Sequence, residues 1–203
     1  MSPRTKNSSI PTPMTRKFLF CCAALLSPLA RSAEIPDAQW QIKTALLAAP
    51  KTDRDAATVL GYNPTGAVVT LREGTNNLIC LADDPKQKSF SVACYHKSLG
   101  PFMARGRELA AQGKKPSEVT QIREQEVKAG KLTMPDRGVL NVTTGKVNES
   151  TGEVTELYTR YVVYIPYATP ETTGIPLAPL TPGAPWIMDP GTHRAHIMIN
   201  PPK

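Results

Sequence analysis

Catalytic signatures are what this chain most lacks. No Gly-x-Ser-x-Gly elbow, phosphate-cradling glycine loop, His-Glu-x-x-His motif or pair of Cys-x-x-Cys motifs occurs in its 203 residues. Histidine is scarce as well. Only His96, His193 and His196 are present, so any imidazole chemistry must use one of them. Beyond residue 33 no apolar run approaches the ~20 residues that a membrane span needs. A lasting excess of one charge is missing too, although the whole chain carries 24 Lys and Arg against 17 Asp and Glu.

That apparent basicity sits at the start. Arg16 and Lys17 precede an apolar run over residues 18–26, and Pro28 and small residues follow as far as Ala33. The pattern is that of a secretory signal peptide over residues 1–33. Met14 is an alternative start, because residues 1–13 are polar, and cleavage falls after Ser32 or Ala33. Residues 1–33 hold five basic residues and no acid, which leaves 19 against 17, or +2, for the rest. Such a balance predicts no nucleic-acid partner, since that binding depends on clustered phosphate-neutralising charge. It predicts no polybasic membrane patch either. Cys21 and Cys22 leave with the leader. The apolar run continues past them, and Phe18, Leu19 and Phe20 are larger than a lipidation site favours. The expected location is periplasmic or secreted.

Residues 34–203 read as a single exported α+β domain with a mainly antiparallel sheet, a short N-terminal helix and a two-helix insertion. Ile35, Ala38, Ile42, Ala45, Leu46 and Ala49 give residues 34–50 one apolar helical face. Strands are expected over 57–62, 67–72, 78–82 and 90–96, punctuated by Gly, Pro, Asn and Asp like an antiparallel meander. The insertion covers about 101–129. Its first helix should bury Phe102, Met103, Leu109 and Ala110. Its second should start at 118 behind Ser117 as N-cap and show its Glu and Arg residues to solvent. Strand character returns at 139–143 and 156–167. There Tyr161, Val163, Ile165 and Tyr167 face one way and Tyr158, Val162 and Tyr164 the other, as in a central strand. Five prolines in 168–185 predict a segment in extended form, without helix, wrapping the surface.

Cys80 and Cys94 are the only cysteines after the leader. Folding 78–82 back onto 90–96 about Gln87 places them opposite each other. Opposed residues of an antiparallel pair have Cα atoms roughly 4.5–5.5 Å apart, within disulfide reach, so a Cys80–Cys94 bond is predicted for an oxidising compartment.

The candidate site lies in residues 186–199. Trp186 to Arg194 reads as an anchor and turn, with Asp189 and a surface-facing His193. Residues 195–199 read as a closing strand with His196 and Met198 on one face. A metal centre would draw on His193 and His196, with His96 or Asp189. Imidazole with carboxylate suits zinc, and His196 with Met198 suits copper. Asp83, Asp84 and Pro85 form a turn that could touch a cation.

Three stretches, in order, resemble a group of small exported bacterial proteins of unknown function. The first is Leu71 to Asn76 followed by Cys80 and Asp83, Asp84 and Pro85. The second is Tyr167 to Thr169. The third is Trp186 with the terminal His196 to Ile199. The resemblance implies an envelope or periplasmic location and nothing catalytic. The expected function is a non-enzymatic domain that binds a small ligand or an envelope partner, with a metal-binding protein or metal-dependent enzyme as the alternative.

Overall fold

The computed structural model describes Met1 and residues 34–203. The signal peptide, the alternative start at Met14, Cys21 and Cys22 lie outside the described residues. Asp37 opens the first helix by accepting a hydrogen bond from the Trp40 amide at 2.9 Å. Helix α1 (Ala38–Ala45) follows and continues as a 3-10 turn over Leu46–Ala48. It buries Gln41, Thr44 and Ala45, whereas Ala38 is exposed and Ile42 only half-buried. Gln41 belongs in the buried stripe because every polar atom of its amide that could be orphaned is used. Its Nε2 donates to the carbonyls of Pro36 (2.7 Å) and Tyr62 (2.9 Å), and its Oε1 accepts from the Tyr62 amide (2.7 Å). Gln41 thus clips α1 to the end of the first strand.

Strands β1 (Thr58–Tyr62) and β2 (Val68–Arg72) form an antiparallel hairpin. The Asn63 side chain shapes its turn by accepting from the amides of Thr65 and Ala67, both at 3.0 Å. The meander expected to continue from here does not. Strand β3 (Leu78–Leu81) passes across the end of β1 and pairs with it in parallel. The crossing loop is held by the Ala56 carbonyl, which accepts from the amides of Thr75 (2.8 Å) and Asn76 (3.0 Å). Gly74 makes the crossing feasible. A Cβ there would lie 2.2 Å from Thr58 N and 2.4 Å from Ala56 O, which are backbone atoms that cannot yield.

The remaining pairings are antiparallel. Strand β4 (Ser91–His96) pairs with β3 and then with β5 (Gly138–Val147), and β5 pairs with β6 (Val154–Tyr164). Strands β7 (Trp186–Met188) and β8 (His196–Ile199) complete an eight-stranded mixed sheet ordered β2-β1-β3-β4-β5-β6-β8-β7. Trp186 and its neighbours are therefore an edge strand rather than part of a turn. Cys80 and Cys94 are register partners, with Cα atoms 4.0 Å apart and a bond between their sulfurs. The fold is α+β, with a mostly antiparallel sheet.

Strand alternation gives the sheet two unlike faces. One carries Val92, Cys94 and Cys80 into a core with Ala45, Ala48 and Ala49 of the α1 region. The other carries Tyr95, Val162, Tyr164 and Met198 against Leu99, Phe102 and Leu132. Helices α2 (Gly100–Ala111) and α3 (Pro116–Lys128) supply much of that cover. Phe102 and Leu109 are buried, but Ala110 is exposed. Helix α3 begins two residues before the expected start. Pro116 takes the first turn, and the Lys115 amide donates to the Glu118 carboxylate at 2.9 Å, so Ser117 is not the cap.

Two further expectations change. Strand β6 is internal to the sheet yet buried on one face only. Val162 and Tyr164 are buried, while Tyr161 is exposed and Tyr167 lies beyond the strand. The proline-rich segment does contain helix, a single turn α4 (Pro170–Thr173). Pro170 occupies the first turn, where its missing N–H costs nothing, and Thr169 and Thr172 cap each other there. Farther on, the Pro176 carbonyl accepts from the Ile187 amide at 2.9 Å and covers the edge of β7.

Candidate functional site

The loop between β7 and β8 folds inward because it is stitched to the chain that leaves β6. The amides of Ile165 and Tyr167 donate to the carbonyls of Ala195 (2.9 Å) and Thr192 (2.7 Å), and the Gly191 amide donates to Ala168 (2.9 Å). Asp189 and Tyr167 both take left-handed backbone conformations, with φ of 50° and 64°. Non-glycine residues held so are strained, and such strain concentrates at functional sites.

This stitching buries His193 completely, at 0% exposure. The expectation of a surface turn residue is thus corrected. The imidazole Nδ1 meets the Glu124 carboxylate, and the His193 amide donates to Glu124 Oε2 at 3.0 Å. The Phe102 ring stands edge-on to the imidazole at 5.6 Å between centroids. Glu124 is also paired with Lys128 at 2.8 Å. Burial alone would raise the Glu124 carboxyl pKa, but hydrogen bonds from Lys128 and from the His193 amide and ring hold it at about 2. Burial pushes the His193 pKa down, against the pull of Glu124. A neutral imidazole donating from Nδ1 fits both shifts and leaves a buried lone pair on Nε2.

The other predicted ligands are placed differently. His196 opens β8 with Nδ1 donating to the Arg194 carbonyl at 2.7 Å, and its ring is 5.4 Å from that of Tyr164. Asp189 Oδ2 lies 3.1 Å from Arg194 Nη2, without hydrogen-bond alignment. His96 caps the 3-10 turn after β4, its Nδ1 accepting from the Ser98 amide at 3.2 Å. The register Tyr95–Leu140–Val162–Met198 puts His196 on the Tyr95 face and His96 on the other. Three inter-strand spacings, about 14 Å, separate β4 from β8. His193, His196 and Asp189 therefore share one corner that His96 does not join. Among the described residues no group of three or more His, Cys, Asp or Glu side chains converges as metal ligands.

Helix α3 turns a charged face to this corner, where a solvated one was expected. The Arg123 guanidinium lies 4.0 Å over the Phe102 ring and donates through Nη1 to the Phe102 carbonyl at 3.3 Å. Gly106 admits it, because a Cβ there would stand 2.9 Å from Nη1. Arg123 has no carboxylate partner among the described residues. Burial lowers its pKa to about 10, with Tyr164 opposing and Arg194 reinforcing the shift. Arg194 Nη1 donates to Thr120 Oγ1 at 3.0 Å. Burial raises the Tyr164 hydroxyl pKa, against the pull of Arg194 and Arg123. Six buried polar side-chain atoms have no hydrogen-bond partner among the described residues. Four of them, Arg123 Nε, Trp186 Nε1, Asp189 Oδ2 and His193 Nε2, belong to the segments that build this corner.

Arg123 and Glu124 were not among the candidates drawn from the sequence, although for Arg123 a signal existed. Val119, Ile122, Arg123, Glu126 and Val127 recur at i, i+3, i+4, i+7 and i+8. Arg123 and Glu126 thus sit in the apolar stripe, and Glu126 is duly bound by Arg105 at 2.6 Å.

No family model, curated protein or solved structure matches the chain.

The Glu124–His193 pair makes the fold acid-sensitive in a defined direction. A carboxyl pKa depressed in the folded state contributes stability that is present above the ordinary carboxyl range and lost as pH falls toward 2. His193, also depressed, adds loss as pH falls below its ordinary value of 6.5. Glu124→Gln keeps an acceptor for the His193 amide and removes the titration. Its thermal midpoint should fall less steeply than the wild type's between about pH 5 and pH 2.5. Parallel slopes for the two proteins would contradict the pairing.

Proposed function

We propose that this chain is an exported, non-enzymatic domain that binds a small ligand through a carboxylate or phosphate group at the Arg123–Arg194 corner. The observation that carries this reading is Arg123, a half-buried guanidinium with a buried, unused Nε and no carboxylate partner among the described residues. Keeping a cation in that position without an anion is costly. A ligand oxyanion would satisfy Arg123, with Arg194, Tyr164 and the Trp186 indole as further donors. The strained backbone at Asp189 and Tyr167 supports a site built for binding.

Periplasmic or secreted location belongs to the same proposal. The Cys80–Cys94 bond supports it, as do the leader-like residues 1–33 and the resemblance to small exported bacterial proteins. No described helix is long and apolar enough to cross a membrane. In this reading α1 is the short N-terminal helix, and α2 with α3 is an insertion between the neighbouring strands β4 and β5. An envelope component bearing the same anionic group would serve as partner.

The test is titration of the purified protein with succinate and with inorganic phosphate, followed by calorimetry. Saturable binding of one of them, weakened about tenfold or more in Arg123→Met, is expected. Binding of neither, or equal binding by Arg123→Met, removes the proposal.

A second reading keeps one observation of its own, the buried unpartnered Nε2 of His193. It makes His193 a zinc or copper ligand through that nitrogen. Stoichiometric metal in purified protein, lost in His193→Ala, would favour it over the anion site.

A further inference from the structure

A separate cleft of about 410 Å³ opens between the β1–β2 hairpin, the loop from β3 to β4 and the last turns of α2. It lies about 12 Å farther along α2 than Phe102, so the Arg123 corner does not contribute to it. Its volume falls near the lower end of small-molecule sites.

The lining has apolar surface and charges of both signs. Ala67 and Val68 on the hairpin and Ala110 on α2 contribute the apolar part, and Asp84, Lys86 and Arg107 the charges. None of these three charges has an ion-pair partner among the described residues. Glu108 also lines the cleft, but its carboxylate is held by Arg105 at 2.8 Å.

The walls are fixed in place. Asp84 Oδ1 accepts from the Lys86 amide at 2.9 Å, and the Asp84 carbonyl accepts from the Gln87 amide at 2.9 Å. Asp83 Oδ1 accepts from the Ser91 amide at 2.8 Å, which ties the loop to β4. Among the described residues the Asp84 carboxylate accepts through Oδ1 alone, which leaves Oδ2 for another donor. Across the cleft, Arg107 Nη1 donates to the Tyr95 hydroxyl at 3.3 Å, which positions the guanidinium. Tyr62 also lines the cleft. Burial, then the charge of Asp84, pushes its hydroxyl pKa up to about 12, so it is a neutral donor.

A simple anion would leave Asp84 unused and opposed, and a simple cation would do the same to Arg107 and Lys86. A molecule carrying both charges on a small apolar body satisfies all three. We propose that this cleft binds a small zwitterion of amino-acid or dipeptide type. Its ammonium meets Asp84, its carboxylate meets Arg107 and Lys86, and its apolar side chain rests on Ala67, Val68 and Ala110. The turn of Asp83, Asp84 and Pro85 thereby becomes one wall of a two-signed site rather than a metal contact.

Titration of the purified protein with alanyl-leucine, its N-acetyl form and its C-terminal amide, followed by calorimetry, tests this. The free dipeptide should bind saturably, and each cap should weaken binding about tenfold or more. Asp84→Asn keeps the Oδ1 acceptor for the Lys86 amide and removes the charge. Once its circular dichroism and unfolding midpoint match the wild type, it should bind the free and N-acetyl forms equally. Capped forms that bind as well as the free dipeptide overturn the proposal. So does retained discrimination in Asp84→Asn, or the absence of saturable binding to the folded wild type.

Discussion

Replacing Phe102 by alanine is expected to remove about 3–5 kcal/mol of unfolding free energy. Phe102 is 1% exposed and is the ring on which the second core turns. Tyr164 of β6 stands edge-on to it at 5.8 Å, His193 at 5.6 Å, and the Arg123 guanidinium lies at 4.0 Å. Truncation leaves a cavity between α2 and the sheet. It also takes the aromatic face from Arg123, an interaction worth about 0.5–2 kcal/mol. The denaturant midpoint should fall with the slope unchanged. The oxyanion binding proposed for the Arg123 corner should weaken with it, because the guanidinium loses the surface that aims it. A change below about 1 kcal/mol, within the ordinary range for surface sites, would contradict this role.

Loss of the Cys80–Cys94 bond should cost about 3 kcal/mol in the chain-entropy account for a loop of this size. The residues are 14 apart in sequence and buried at 0% and 1% exposure, in the core shared with α1. Two measurements separate the contributions. Reduction of the wild type removes the cross-link and keeps the sulfur atoms. Replacing both cysteines by alanine also empties the volume they filled, and should cost more. A reduced wild type that unfolds at the same denaturant concentration as the oxidised protein would show that the link contributes nothing.

Much of the sheet was legible in the chain. Strand positions followed from β-branched runs and turn residues, and pairing about Gln87 brought Cys80 opposite Cys94. The face shared by His196 and Met198 followed from a period of two. All of these depend on contacts close in sequence. The parallel pairing of β1 with β3 was not legible, because a five-residue turn reads the same whether the chain folds back or crosses over. The decisive contacts, Gly74 against Thr58 and Ala56, join residues on either side of β2.

The candidate corner divides in the same way. Residues 186–199 stood out by composition alone, and they carry His193, His196 and Asp189. Their partners did not stand out. Arg123, Glu124 and Phe102 come from helices some 70 to 90 residues earlier, and charged residues on a helix read by default as a solvated face.

The sequence by itself determined most of the strands, the cysteine register, the α+β class and the segment worth examining, because periodicity and turn chemistry are local. Only the tertiary structure decided that His193 is buried and that Arg123 has no carboxylate partner among the described residues. Burial and charge pairing belong to the space between elements. Packing α2 and α3 over β6 and β8 takes the charges out of water, and that desolvation turns residues 186–199 from a histidine-bearing strand end into one side of a buried, charged corner.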